Sequence, residues 1–243
     1  MIVNTAGWDT DCNSGNVGCI LGIKNELEGI QKGPDYITPV NDIIYLPTAY
    51  GSETMTDALL ESQNIINITR RMNGLESKVI KNNARYNFEM ETATQGWMVD
   101  KTNDNNLNTS VSNVEFKSDN GTRALQVSFT DLSFGLSSEV FVDSFFPEWF
   151  TKLEGYQVQR YFHYDYVACP IVYTGQKIKT EIISRSEKDL RINLFIKYWG
   201  DGDKLIKITS EDYNLKANEN SVLEWNVPDT FSNPIGQIGI SIN

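Results

Sequence analysis

The chain has 243 residues, 40% of them hydrophobic and 22% charged, with a formal net charge of -11 and a sequence pI near 4.6. That is material for one large domain or two ordinary ones, and its acidity argues against nucleic acid as a partner, since phosphate-backbone binding needs a basic stripe. No run of 18 apolar residues is present, so the chain is expected not to span a membrane.

Three cysteines, Cys12, Cys19 and Cys169, stand at irregular spacing. They read as reduced thiols, which with the lack of a basic-then-apolar leader gives a cytoplasmic expectation. The one histidine, His163, excludes any two-histidine mechanism, and no nucleophile elbow of the Gly-x-Ser-x-Gly kind accompanies it.

In chain order, Asn13 to Leu27 has helical periodicity, with Val17, Ile20, Leu21 and Lys24 on one face and Asp11 or Asn13 available as N-cap. Gly15, Gly18 and Gly22 form a stripe without side chains, which suggests close packing against another backbone. The stretch from Gln31 to Ser52 is rich in proline and glycine and reads mainly as loop. Thr56 to Met72 is the second helix, capped by Thr56 or Asp57 and stopped at Asn73-Gly74.

The texture changes near residue 80, from helical to period-two alternation. Leu125, Val127 and Phe129 share one face of a strand, as do Leu136, Val140 and Val142 of the next. In "DLRINLFIKYW", Leu190, Ile192, Leu194, Ile196 and Tyr198 point one way and Arg191, Asn193, Phe195, Lys197 and Trp199 the other. "WGDGDK" is a hairpin turn, and "VLEWNVP" and "IGQIGISI" are further strands. The fold class expected is α+β and multidomain: an incomplete helical segment over 1–80, then an antiparallel β-sandwich over 84–243 that breaks off at its last strand.

Two aspartates, Asp9 and Asp11, lie in the glycine-flanked run "NTAGWDTDCNSGNVGCILG". Carboxylates at i and i+2 can converge in a loop, and such a pair suits a hard divalent cation; an N-cap in an acidic turn explains it equally well. The run resembles the C-terminal metal motif of the ADP-ribosylglycohydrolase family, which includes the dinitrogenase-reductase-activating glycohydrolases. The family pattern is Gly-x-Asp-x-Asp-Thr/Ser, entering a helix with small residues spaced for close packing. The resemblance implies an all-α fold and a two-metal site of Mg²⁺ (or Mn²⁺), with Asp9 and Asp11 as ligands and Thr10, Cys12 and Asn13 around them. It implies a hydrolase acting on an ADP-ribosyl or related ribosyl glycosidic bond. Cys12 departs from the family's Thr/Ser, and a thiol is a poor partner for Mg²⁺. The family's upstream Thr/Ser-Asp-Asp motif has no counterpart, so this chain is expected to be an inactive fragment holding half a site.

"NFEMETATQGWMVD" and "YTGQKIKTEIISRS" resemble strands of jelly-roll modules of the galactose-binding or carbohydrate-binding kind. That resemblance implies a glycan partner and exposed aromatics that stack on sugar faces. Trp97, Trp199, Trp225 and Tyr173 are the candidates, with Trp199 favoured because it points away from the Leu190–Tyr198 face. Core packing is the competing role for each. A non-catalytic carbohydrate-binding or interaction module is therefore the alternative to the hydrolase.

Overall fold

The computed structural model describes residues 2–5, 7–45, 55–77, 84–102, 108–118, 121–130, 135–157 and 169–243. It divides into two compact units, Met1–Val40 and Asn41–Asn243. The expected change near residue 80 and His163 both lie outside the described residues.

The first unit is one helix, α1 (Thr10–Gln31), preceded by a 3₁₀ turn at Val3–Thr5. α1 is interrupted at Glu26, whose φ is 56°. It has no buried residue: Ile20, Leu21 and Ile23 are all exposed. A side chain built at Gly15, Gly18 or Gly22 would meet nothing within 4 Å. The close packing expected of that stripe is therefore absent, because no second backbone approaches it among the described residues. Asp9, not Asp11 or Asn13, takes the N-cap position, and its side chain makes no capping hydrogen bond. An all-α hydrolase domain is not what these residues form.

The second unit begins with a short hairpin, β1 (Ile43–Tyr45) against β2 (Met55–Asp57), inside what the sequence suggested was loop and helix start. α2 (Ala58–Met72) follows directly, and Asp57 is its N-cap, accepting from the Leu60 N–H at 2.9 Å. Arg70 and Arg71 complement the C-terminal end of the helix dipole.

The rest is β. The strands are β3 (Met98–Val99), β4 (Thr109–Ser118), β5 (Gly121–Phe129), β6 (Ser138–Asp143), β7 (Lys177–Ile183), β8 (Leu190–Gly200), β9 (Lys204–Thr209), β10 (Tyr213–Leu215), β11 (Asn220–Asn226) and β12 (Ile235–Ile242). A six-stranded antiparallel sheet runs β10-β8-β12-β6-β3, with β9 also paired to β8. β7 and β11 form a second layer, and β4 and β5 a hairpin. The alternation of β8 is what makes the sandwich: Ile192, Leu194 and Ile196 are each at most 1% exposed and pack with Leu223, Val227, Trp225 and Ile178 of the facing layer. This is the β-sandwich the strand pattern called for.

The opposite face of the same sheet is polar and also buried. Lys197 pairs with Asp100 at 2.7 Å and Lys207 with Glu139 at 2.6 Å, around a Phe195 ring that is fully buried. Lys207 Nζ lies 4.4 Å from the centre of that ring. A second polar cluster joins α2 to the sheet. The Gln95 amide donates to Asp57 Oδ1 at 3.1 Å, and its oxygen accepts the Asn87 and Phe88 N–H groups at 2.9 and 2.8 Å. Asp42 accepts from the Thr94 and Gln95 N–H groups at 2.7 and 3.1 Å. Buried carboxylates persist only with such partners.

The packing predicts that Ile196→Ala costs about 2–5 kcal/mol of unfolding free energy, the range for truncating a buried aliphatic side chain. Val222→Ala, on the exposed side of β11, should change it by less than about 0.5 kcal/mol. Urea denaturation of the two variants checks the contrast; equal effects would mean that β8 is not the core strand.

Asp143 supplies a pH dependence. It lies opposite Gln237, whose amide donates to it at 3.0 Å. Burial pushes its pKa up from 3.8 to about 6, against the Gln237 hydrogen bond and the Lys197 charge, with Glu148 adding to the rise. The folded state thus holds an extra proton between about pH 4 and pH 6, so this residue's contribution to stability falls as pH rises through that window. The stability of the wild type relative to Asp143→Asn should drop by roughly 2–3 kcal/mol between pH 4 and pH 7. A pH-independent difference in denaturation free energy would contradict it.

Candidate functional site

The residues singled out in the acidic run do come together. Asp9, Asp11 and Cys12 are exposed, and each offers a ligand atom, all within 4.8 Å of one another. The Asn13 amide donates to the Trp8 carbonyl at 3.3 Å, and Thr10 opens α1. The Cys12 thiol is pushed up by its hydrogen bond with Asp9 and by the Asp11 charge, which keeps it protonated. Two carboxylates and a protonated thiol fall well short of the oxygen set that Mg²⁺ or Mn²⁺ takes. Among the described residues no further donor joins this cluster, and by itself it would hold such an ion only weakly.

The aromatic candidates separate by burial. Trp225 packs in the core between the two layers. Trp97 meets Tyr86 edge-on, ring centres 5.7 Å apart, beside the same core. Trp199 does lie on the face away from Leu190–Tyr198, but it packs over Gly236 and beside Leu205, and its indole N–H is buried without a partner. The structure gives all three tryptophans packing duties. Tyr173 is different: it is 47% exposed at the rim of a groove.

That groove, about 430 Å³, lies where the segment before β7 meets the turn between β11 and β12. Pro170, Val172, Pro234 and Ile235 supply apolar wall, and Thr174, Asp229, Thr230, Ser232 and Asn233 supply polar groups. Its volume falls in the usual range for small-ligand sites, about 300–1,000 Å³. Among the described residues that line it there is no lysine, arginine or histidine.

Each wall is held by main-chain bonds. The Gly175 N–H donates to the Val227 carbonyl at 3.0 Å and the Val227 N–H to the Gln176 carbonyl at 2.8 Å, which locks the Tyr173 turn to β11. Tyr173 N–H donates to the Gln176 side-chain oxygen at 2.9 Å. Burial and the neighbouring Cys169 thiol raise the Tyr173 hydroxyl, so it remains a protonated donor.

The opposite turn closes on itself. Thr230 Oγ1 donates to the Asn233 carbonyl at 2.7 Å, and the Asn233 amide donates to the Thr230 carbonyl at 2.9 Å. Asp229 accepts the Phe231 N–H at 2.8 Å. Phe231 and Ser232 take left-handed backbone angles, φ 53° and 65°, a strained pair that lifts the Phe231 ring to 79% exposure.

Sequence reasoning named Tyr173 and missed the rest. The available signal was the single aromatic set in the polar turn "DTFSNP", where a phenylalanine has no core to enter.

No family model and no curated protein matches the chain. Solved structures that are similar to it include the CBM22-1 and GH10 modules of a Clostridium thermocellum endo-1,4-β-D-xylanase with xylohexaose. There the identity is 15%, the TM-score 0.38, and the match covers 64% of this chain and 24% of that one. A carbohydrate-binding module of the β-sandwich superfamily matches at 16% identity and TM-score 0.47, over 69% of this chain and 58% of that one. The CBM22-1 xylan-binding domain of a Paenibacillus barcinonensis xylanase matches at 8% identity and TM-score 0.37, over 64% and 86%. The chain thus spans less than two thirds of the first two structures.

The hydrolase expectation is corrected on these findings. The similar solved structures are carbohydrate-binding sandwiches, and no comparison supports an ADP-ribosyl substrate or a magnesium centre. No described helix is long and apolar enough to cross a membrane.

The open donor set predicts weak metal binding. In an electron paramagnetic resonance titration, Mn²⁺ should bind this chain no tighter than about 0.1 mM, the weak end of oxygen-ligand sites. A tighter site lost on Asp11→Ala would show that further donors converge there.

Proposed function

We propose that the second unit is a non-catalytic carbohydrate-binding module whose site is the groove between Tyr173 and the turn carrying Asp229, Thr230, Ser232 and Asn233. The observation that carries the reading is the exposed Tyr173 ring set with hydroxyl, amide and carboxylate groups around one open groove, with the exposed Phe231 ring on the turn between the lining residues Thr230 and Ser232. A sugar ring presents C–H faces and a periphery of hydroxyls. Aromatic rings match the first, and Thr174, Ser232, Asn233 and Asp229 match the second.

Charge narrows the ligand to neutral glycans. Among the described residues the lining carries the Asp229 carboxylate and no cation, so a uronate or sulfate ester would enter against repulsion there. The groove's rigid turns support binding without large ordering cost.

Affinity electrophoresis in gels containing neutral polysaccharides (xylan, mixed-linkage glucan, galactan) or polygalacturonate tests it. Retardation is expected in at least one neutral gel and not in polygalacturonate. Tyr173→Ala or Phe231→Ala should weaken binding about tenfold, the scale of about 1.4 kcal/mol of lost apolar contact. No retardation in any neutral gel, or full retardation of both variants, would overturn the reading.

A further inference from the structure

We propose that Asp143 and Gln237 form a proton-dependent latch beneath the groove. With Asp143 protonated, its carboxylic acid and the Gln237 amide bond to each other twice, and loss of the proton opens the pair and loosens the groove's floor. The functional consequence rests on the groove being a glycan site: the grip on the sugar weakens as pH rises.

The pair joins two central strands. Asp143 ends β6 and stands opposite Gln237 of β12, and both are buried. The Gln237 amide donates to Asp143 Oδ1 at 3.0 Å, yet its own oxygen is buried without a partner among the described residues. A buried amide oxygen left without a donor is costly. A carboxylic acid has one O–H to give, and an acid and a primary amide match donor for acceptor. Protonated Asp143 therefore supplies the bond that the Gln237 oxygen lacks. Ionised Asp143 has only acceptors and sets negative charge beside an amide oxygen where little water screens it.

The charges around Asp143 do not remove the proton. Lys197 of β8 favours the ionised form but is engaged with Asp100 at 2.7 Å. Glu148, in the 3₁₀ turn Glu148–Lys152, opposes ionisation. Tyr45 of β1 and Tyr86 are held protonated by burial first and by the Asp143 charge as well. Asp57 and Arg85 share with Asp143 the lining of a cavity of about 10 Å³, and they pair with each other at 3.6 Å. Burial outweighs the Gln237 bond and the Lys197 attraction, and the Asp143 pKa is pushed up to about 6. The latch is thus closed below about pH 6 and opens above it.

Ser144, the next residue, carries the latch to the groove. Its N–H donates to the Gly236 carbonyl and its hydroxyl to the Ile235 carbonyl, both at 2.8 Å, and Ile235 lines the groove. Its own carbonyl accepts the Ile171 N–H at 2.8 Å. Ile171 stands between Pro170 and Val172, two further lining residues, and itself lines the small cavity with Asp143. One residue therefore ties together two segments of the groove wall, and it is adjacent in the chain to the latch. β12 is irregular at this point, since its register against β8 shifts between Ile235 and Gln237. An irregularity of that kind disrupts the ladder bonds locally, which leaves more of the restraint to side chains.

Amide hydrogen exchange, followed by NMR on the full chain, tests the latch without any ligand. After correction for the intrinsic pH dependence of exchange, the Ser144 and Ile171 amides should lose protection relative to those of β8. The loss between pH 5 and pH 8 should be at least about fivefold, the low end of coupling between sites. Asp143→Asn, whose amide can make both bonds at any pH, should hold the ratio constant. A flat ratio in the wild type, or a loss spread equally over all strands, overturns the latch. Affinity electrophoresis of both proteins at pH 5 and pH 8, in xylan, mixed-linkage glucan and galactan gels, reads the consequence. Wild-type affinity should fall at least about fivefold at pH 8, and that of Asp143→Asn should not. Retardation of the wild type that ignores pH overturns the coupling and leaves the glycan reading standing. No retardation in any gel at either pH overturns the glycan reading, while the exchange ratio still decides the latch.

Discussion

The pairing of β12 on both of its edges is the constraint on which the rest depends. Its residues bond to β6 on one side and β8 on the other, so the last strand of the chain is the middle of the sheet. That position demands small residues where layers press: Gly239 lies directly beneath the Phe195 ring and against the Val140 carbonyl, where no side chain would fit. The same strand starts at Ile235, which floors the groove, and receives Ser144 from β6. Core and groove are therefore both referenced to one backbone segment.

The sheet differs from a simple half-buried antiparallel sheet in having two buried faces of unlike chemistry. One is aliphatic. The other holds Lys197, Asp100, Lys207, Glu139, Asp143 and Gln237 in mutual contact. Such groups stabilise little beyond their desolvation cost, but removing one member strands its partner. Asp100 shows the balance: burial tends to raise its pKa, yet bonds from Lys197 and Thr102 bring it below the usual carboxylate value. Gln95 plays the equivalent part for α2, which the sheet holds largely through amide and carboxylate contacts. Ile65, Ile66 and Ile68 of that helix remain exposed.

Much of this was legible in the residues. Period-two alternation in β8 named its core face without error, because burial of one face of a pleated strand fixes which residues can be apolar. Asp57 was readable as a cap, since a short acceptor before an apolar-periodic run has one obvious use. The hydrolase reading drawn from the Asp9–Asp11 motif failed for the converse reason. Its local geometry is met, with the ligand atoms converging, but a metal centre requires donors from distant elements, and a short run carries no information about them. The fates of the tryptophans were hidden in the same way: Trp97, Trp199 and Trp225 look alike in sequence and differ only in which neighbours cover them.

By itself, the sequence determined the sandwich, the second helix and its cap, because each follows from periodicity or a short-range hydrogen bond. Tertiary structure decided which aromatics face water. It set Tyr173 opposite the Thr230–Asn233 turn and left Trp149 exposed beside Phe150. Exposure is a property of what other segments leave uncovered, and no local pattern of residues encodes it.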